Sequence, residues 1–373
     1  MTGPLSGVKV VDMSRLAPGP VATQLLADLG AEVVSIGGGR AGTPIEEASR
    51  GKTFISLNLK DGNGRAALDR LVSTADVFVE SFRPGVAERL GAGYPRLSAL
   101  NPALVYCSIT GYGQEGPMAQ AAGHDINYLA QTGVLAMLGP TEGFPTVPLN
   151  LVADFAGGSL VAAFRICAAL VDRDDTGKGQ YLDVAMVDGV RALMPMNYAT
   201  WKTSAAPERG RSVIGGEAPF YRCYETADDR LVAVGALEPQ FFARLWNTLG
   251  LGEVPAQYPR SQWPAIEEAL AVKFKTRSRD DWAAEFATVD ACVSPVLTPD
   301  ELDADPQLAA RHGTGWGIEG PPIDIATRDI RRGRTDRTDR TVPVLRGLGL
   351  SETQIAKAHD LSEPAGLTKW PEM

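Results

Sequence analysis

The sequence predicts an α/β protein in two parts, a parallel sheet covered by helices on both faces and a smaller α+β domain after it. Three observations carry this. Strand and helix patterns alternate from the N-terminus to about residue 110, which implies strand–helix–strand crossovers and so a parallel sheet. The alternation restarts at Phe220 after a stretch of small and charged residues. The chain has 373 residues, more than the roughly 100–200 of one ordinary domain.

The elements follow in order. Residues 7–13 (GVKVVDM) form a β-branched run, and residues 20–29 read as a helix with Pro18 and Pro20 near its start and Gly30 at its stop. Residues 31–36 are a second strand, 54–59 a third, 77–82 a fourth and 104–110 a fifth, with helices over 65–74 and 86–90 between them. A long helix covers 155–171, a turn 172–180 and a strand 181–186. In the second part, 222–225 and 231–235 read as strands and 239–249 as a helix. A last helix spans 352–359, with Ser351 as cap and Gln354 closing a capping box. The expected layout is a large domain over 1–200 completed by 342–373, a linker 201–219, a small domain 220–315 and a second linker 316–341 holding the arginines of 328–340. Ligands of such sheets bind beyond the carboxyl ends of the strands. Those ends fall at 14–19, 37–40, 82–85 and 111–117, and each contains glycine.

Composition narrows the function. A net charge of −9 argues against a nucleic-acid partner, while a small anionic ligand needs only a local cluster of donors. The four cysteines, Cys107, Cys167, Cys223 and Cys292, show no metal spacing and read as buried free thiols of a reducing compartment. The most apolar stretch, 149–171, is interrupted by Asp154 and Arg165, so no membrane span is expected. Residues 1–8 lack the pattern of a secretory signal. The expected location is the cytoplasm.

No P-loop, H-E-x-x-H or G-x-S-x-G occurs. G-x-G-x-x-G occurs at Gly37-x-Gly39-x-x-Gly42 and at Gly111-x-Gly113-x-x-Gly116. Neither lies in the first strand–helix unit, and Pro117 follows the second, so plain glycine-rich loops are the preferred reading. Of the three histidines, His312 and His359 read as surface residues. His124, in Ala122-Gly123-His124-Asp125-Ile126-Asn127-Tyr128, lies with Asp125 where a helix can begin, and free amides there can stabilise an anion. A structural cap is the competing reading. Asp154 interrupts an apolar run; it either caps the following helix or carries a raised pKa suited to proton transfer. Glu238 is a third acid in apolar context, and from the residues alone a first-turn helix charge is the preferred reading.

Together these segments resemble the family III coenzyme A-transferases (CaiB/BaiF), and most closely their α-methylacyl-CoA racemase branch. The resemblance runs through Leu16-Ala17-Pro18-Gly19-Pro20, Leu26-Ala27-Asp28-Leu29-Gly30-Ala31, Arg50-Gly51-Lys52, Phe82-Arg83-Pro84-Gly85-Val86, residues 123–128, 150–158 and 235–241, and Gly177-Lys178-Gly179-Gln180. It implies a Rossmann-like large domain, a small domain and an interlocked homodimer acting on an acyl-CoA thioester, with no cofactor beyond the coenzyme A of the substrate. It assigns His124 and Asp154 as the proton-relaying pair, Glu238 as the acid orienting the histidine, and the Asp125 amide as donor to the thioester oxygen. Leu57, Asn58, Leu59, Lys60, Phe82, Arg83 and Arg89 match coenzyme A contacts, with Gly123, Ile126, Asn127 and Tyr128 around the histidine. Arg40 stands near a nucleotide contact, where the chain departs from the family pattern. Met186, Met194 and Met196 are candidates for the acyl surface, or for ordinary core packing. The resemblance leaves two activities open, racemisation at C2 and CoA transfer between carboxylic acids through an Asp154 thioester.

Overall fold

The computed structural model describes residues 3–37, 48–312 and 338–359. The chain divides into two compact units. Met1–Thr132, Pro148–Met194 and Pro306–Met373 make the first, and Gly133–Val147 with Pro195–Asp305 the second. Residues 133–147 and 195–219 therefore belong with the smaller unit, rather than with a large domain over 1–200 and a linker over 201–219.

Six parallel strands build the first unit: β1 (Lys9–Asp12), β2 (Glu32–Gly37), β3 (Lys52–Ser56), β4 (Val77–Glu80), β5 (Val105–Thr110) and β6 (Tyr181–Ala185). Their order is β3-β2-β1-β4-β5-β6, with Val10 opposite Val33 on one side and Val77 on the other. Every residue of β4 and β5 is buried, as expected for strands covered on both faces. The helices so far are α1 (Pro18–Asp28), α2 (Gly62–Val72), α3 (Val86–Arg89), α4 (Tyr94–Leu100), α5 (Asp125–Gln131), α6 (Val161–Thr176) and α7 (Met186–Leu193). Leu26 of α1 and Ala162 and Ile166 of α6 pack on one face with Val10, Val79 and Val105. Leu68 and Leu71 of α2 pack on the other with Ile36, Phe78 and Tyr106.

Two buried ion pairs tie the start of β3 to α1 and to β1, two strands away, which explains why Arg50-Gly51-Lys52 stands as a block. Arg50 grips Asp28 with Nε at 3.0 Å and a terminal nitrogen at 2.7 Å. Lys52 Nζ lies 3.1 Å from Asp12 and donates to Pro20 O at 2.7 Å and Thr23 Oγ1 at 2.6 Å. Burial pushes the Asp12 carboxyl up, but Lys52 and the donors Ser14 and Thr23 outweigh it and hold it below its ordinary value. Burial pulls the Lys52 ammonium down, against the pair. The three short donor contacts favour its charged form.

A π-helical stretch, Leu151–Leu160, runs directly into α6. By length and composition this run, Leu151–Thr176, could cross a bilayer, although one face of α6 is packed into the core. The π-helical stretch lies tight against α7, because a Cβ on Gly189 would stand 1.9 Å from Gly157 O. Only glycine permits that approach.

The second unit holds the antiparallel strands β7 (Tyr221–Glu225), β8 (Leu231–Gly235) and β9 (Val293–Pro295), with β8 central. Its helices are α8 (Pro195–Thr200), α9 (Pro239–Thr248), α10 (Trp263–Phe274) and α11 (Arg279–Phe286). Tyr224, Val232 and Val234 pack with Phe242, Phe274 and Trp282. The opposite sheet face is open, as antiparallel sheets allow. Cys223, on β7, is consequently exposed, and so is Cys292, while Cys167 is half-buried and only Cys107 is fully buried. The expectation of four buried thiols fails at Cys223 and Cys292, which line a hollow against that face, and at Cys167 on α6 of the first unit.

The chain then returns to the first unit with α12 (Pro306–His312), α13 (Thr341–Gly347) and α14 (Glu352–Ala358). Ser351 and Gln354 form the capping box of α14. Leu345, Ile355 and Ala358 enter the core beside α2. His359 is not a free surface residue; its Nε2 lies 2.7 Å from Asp339. Arg40 and most of 328–340 fall outside the described residues.

Candidate active site

In the first unit the strand order reverses between β1 and β4. Chains leaving those two strands diverge to opposite sides, which leaves a crevice at their carboxyl ends. A cleft of about 390 Å³ opens there. Arg15, Leu16 and Pro18 wall it after β1, Ser81, Phe82, Arg83 and Pro84 after β4, and His124, Asn127, Tyr128, Asp154 and Met186 complete it. A larger hollow, about 640 Å³, lies in the second unit against the open sheet face; its lining includes Cys223 and Cys292 but no acid and no histidine. The chemistry points to the smaller cleft.

His124 is the N-cap of α5, with extended backbone, and its amide donates to Asn127 Oδ1 at 3.0 Å. Its side chain is exposed to the cleft. The turn before it is fixed by Tyr128, whose hydroxyl donates to Gly123 O at 2.6 Å. A Cβ on Gly111 would stand 2.2 Å from the Tyr128 ring, and one on Gly123 would stand 2.8 Å from it. Glycine is therefore required at both positions for the ring to lie between them. Gly111 also opens the second G-x-G-x-x-G, yet the first helix after Gly116 is α5, so no helix N-terminus meets a pyrophosphate there.

Asp154 lies in the first turn of the π-helical stretch, whose N-cap is Asn150. It is not a cap. π-Helical turns are uncommon and recur at functional sites. Burial pushes the Asp154 carboxyl up to about 6, with the Asp125 charge adding to it, while the Asn150 amide (3.4 Å) and His124 pull it down. Asp125 itself is buried, and its Oδ2 accepts from the amides of Ala153 at 2.8 Å and Asp154 at 2.9 Å. The cleft thus brings an imidazole together with a carboxyl that changes its proton near neutrality. Such a pair suits acid–base work on a bound ligand.

Residues 5–316 match the family described as CoA-transferase family III. The chain belongs to that family. It is 44% identical over 302 residues to the alpha-methylacyl-CoA racemase of Homo sapiens, covering 80% of this chain and 79% of the relative. It is 39% identical over 375 residues to that of Mus musculus, covering 95% and 96%. A crystal structure of a CaiB/BaiF family protein from Brucella suis matches with TM-score 0.72 at 29% identity, covering 83% of this chain and 88% of that one.

The remaining candidates of this family III chain are distributed unevenly. Gly123, Phe82 and Arg83 join His124, Asp154, Asn127 and Tyr128 on the cleft. Ile126 is exposed on α5, and Arg89 is exposed at the end of α3; neither lines the cleft. Leu57, Asn58, Leu59 and Lys60 follow β3, where Asn58 N donates to Ala358 O at 2.8 Å and Leu57 pairs with His359. Glu238 lies in the second unit as the exposed N-cap of α9, with no side-chain cap bond. Met194 caps α7 and Met196 lies in α8, so only Met186 of the three methionines lines the cleft.

Two residues escaped the sequence reading. Arg15 lines the cleft after β1. Glu80 ends β4 with 4% exposure; it accepts from the Ser108 hydroxyl and from Phe82 N. A single acid closing an apolar strand, Val77-Phe78-Val79-Glu80, was the signal available for it.

Proposed function

We propose that this chain is a racemase that interconverts (2R)- and (2S)-2-methylacyl-CoA thioesters through an enolate. The observation that carries this reading is the pairing of His124 with a carboxyl at about 6, Asp154, on one cleft. Removing the weakly acidic C2 proton needs a base on one face, an acid on the other, and donors for the enolate oxygen. Neutral His124 takes the proton from one enantiomer while protonated Asp154 supplies the opposite face, and the other enantiomer uses the reverse arrangement. The Asp125 amide, first of α5 and so without a partner inside the helix, donates to the thioester oxygen. Glu238, contributed by the second chain of an interlocked homodimer, orients the imidazole.

Coenzyme A arrives as part of the substrate, and no other cofactor or metal takes part. Arg83 and Arg89 meet its phosphates, with Phe82, residues 57–60 and Arg40 completing the coenzyme contacts, and Met186 meets the acyl group. The enzyme works in the cytoplasm on lipid-derived acyl groups. The test is C2 exchange of a 2-methylacyl-CoA in heavy water without an acceptor acid. Deuterium uptake read by mass spectrometry is expected. Absence of uptake, together with CoA transfer to an added carboxylic acid, would make Asp154 the nucleophile of a transferase instead.

A further inference from the structure

The π-helical stretch begins with a deficit. Its first amides have no carbonyl behind them, and Asn150, its N-cap, gives no side-chain cap bond. Asp125, on another element, accepts the amides of Ala153 and Asp154 through one oxygen, Oδ2. Asp125 also follows His124 directly in sequence. One residue therefore joins the two partners of the cleft, His124 through the peptide bond and Asp154 through two hydrogen bonds. Its other oxygen, Oδ1, is buried and without a partner among the described residues. That oxygen adds no bond to the anchoring.

We propose that the Asp125 side chain is the positioning residue of Asp154, anchoring the turn that carries it and placing a fixed negative charge behind its carboxyl. As far as turnover is concerned, this rests on the racemase reading of the cleft. Anchoring fixes where the carboxyl points. The charge acts on its proton, and it adds to burial in pushing Asp154 up. The other groups around Asp154 are few. His124 opposes Asp125 from α5, and Tyr128 of α5 is a neutral phenol raised to about 12 by burial and then by Asp154 itself. Of the elements packed on the π-helical stretch, α7 carries Asp188 and Arg191. Arg165 of α6 donates to Asp183 O, and Asp28 of α1 is paired with Arg50.

Anchoring and charge are separable by substitution. Asp125→Asn keeps a carbonyl oxygen for the two amides and removes the charge, whereas Asp125→Ala removes both. The measurements are C2 exchange kinetics across pH and a carbon-13 NMR titration of Asp154, assigned by its loss in Asp154→Asn. In Asp125→Asn, Asp154 should titrate about one pH unit lower, and the limb of kcat/KM that it sets should move with it. In Asp125→Ala, kcat should fall about a hundredfold with KM within about threefold. Asp125→Asn should recover at least about tenfold of that loss. An Asp154 titration unmoved in Asp125→Asn, or an Asp125→Asn variant as slow as Asp125→Ala, overturns the proposal. The NMR titration needs neither turnover nor the alanine variant, so it decides the matter even if the alanine chain does not fold. Failure of the wild type to exchange deuterium would remove the racemase reading and leave this titration standing.

Discussion

Replacing Glu80 by glutamine should change stability with a sign that depends on pH. Glu80 is 4% exposed at the end of β4. Burial pushes its carboxyl from 4.5 up to about 7, with Glu88 and Asp183 adding, while the Ser108 hydroxyl and the Phe82 amide pull it down. A raised carboxyl means that the folded state resists ionisation. Below 4.5 the group is protonated whether folded or not, and no penalty exists. The penalty grows as pH rises and is complete above about 7. At about 1.4 kcal/mol per pH unit it reaches about 3 kcal/mol. Glutamine never ionises, but it offers one acceptor oxygen in place of two. Either Ser108 or Phe82 N (2.7 Å from Oε2) loses its acceptor, at a cost of about 1 kcal/mol. The variant should therefore be about 1 kcal/mol less stable than wild type near pH 4.5 and about 2 kcal/mol more stable at pH 8. Urea denaturation followed by far-ultraviolet circular dichroism at a series of pH values reads the difference. A difference that stays constant from pH 4.5 to 8 would refute the reasoning.

Other outcomes follow from the same geometry. His124→Ala and Asp154→Ala should each lower kcat at least about a hundredfold with little change in KM; near-full activity in His124→Ala beside a dead Asp154→Ala would favour a nucleophilic aspartate. In steady-state assays kcat/KM should trace a bell against pH, with Asp154, raised to about 6, setting one limb, because either direction needs a single proton on the His124–Asp154 pair and fails with two or with none. Both directions should share that profile, because the equilibrium between epimers does not depend on pH. Gly111→Ala should destabilise the first unit by about 2–3 kcal/mol in thermal melts and impair turnover, because its Cβ would stand 2.2 Å from the Tyr128 ring. Co-expression of inactive His124→Ala and Glu238→Ala chains should restore activity if each site takes its histidine from one chain and its glutamate from the other; heterodimers as inactive as either parent would count against a shared site.

The parallel sheet was legible because β-branched runs mark buried strands. β1, β2, β4, β5 and β6 fall within a few residues of their expected limits. β3 is displaced the most, by two residues at its start and three at its end. It opens at Lys52, before the apolar run, because Asp12 neutralises a charge that ordinarily ends a strand. The short helix α4, with Pro95 in its first turn, went unread. Residues 133–147 show no periodicity, and their place in the second unit depends on distant contacts such as Arg209 to Gly143 O. At the site, a helix starting after His124 was visible in the local sequence. The helical run carrying Asp154 begins at Leu151 rather than at 155, since Asp125 supplies the partner its amides lack. No local pattern carries a contact across 28 residues.

Three carboxyls close on the same end of the first unit, and each is accommodated differently. Asp12 is fully buried and is held below its ordinary value by Lys52 and its donors after burial has pushed it up. A carboxylate so paired stays charged and braces the sheet. Glu80 receives two donors rather than a cation and rises to about 7 under burial. It is buried, however, and does not line the cleft. Asp154 is raised to about 6 by burial and by Asp125, and it alone of the three lines the cleft. Proton exchange with a bound molecule requires both a near-neutral titration and contact with that molecule. Asp12 has neither, Glu80 has the first, and Asp154 has both. The distinction comes from the surroundings of each group rather than from residue type, which is why Glu80→Gln should register chiefly in stability and Asp154→Ala in turnover.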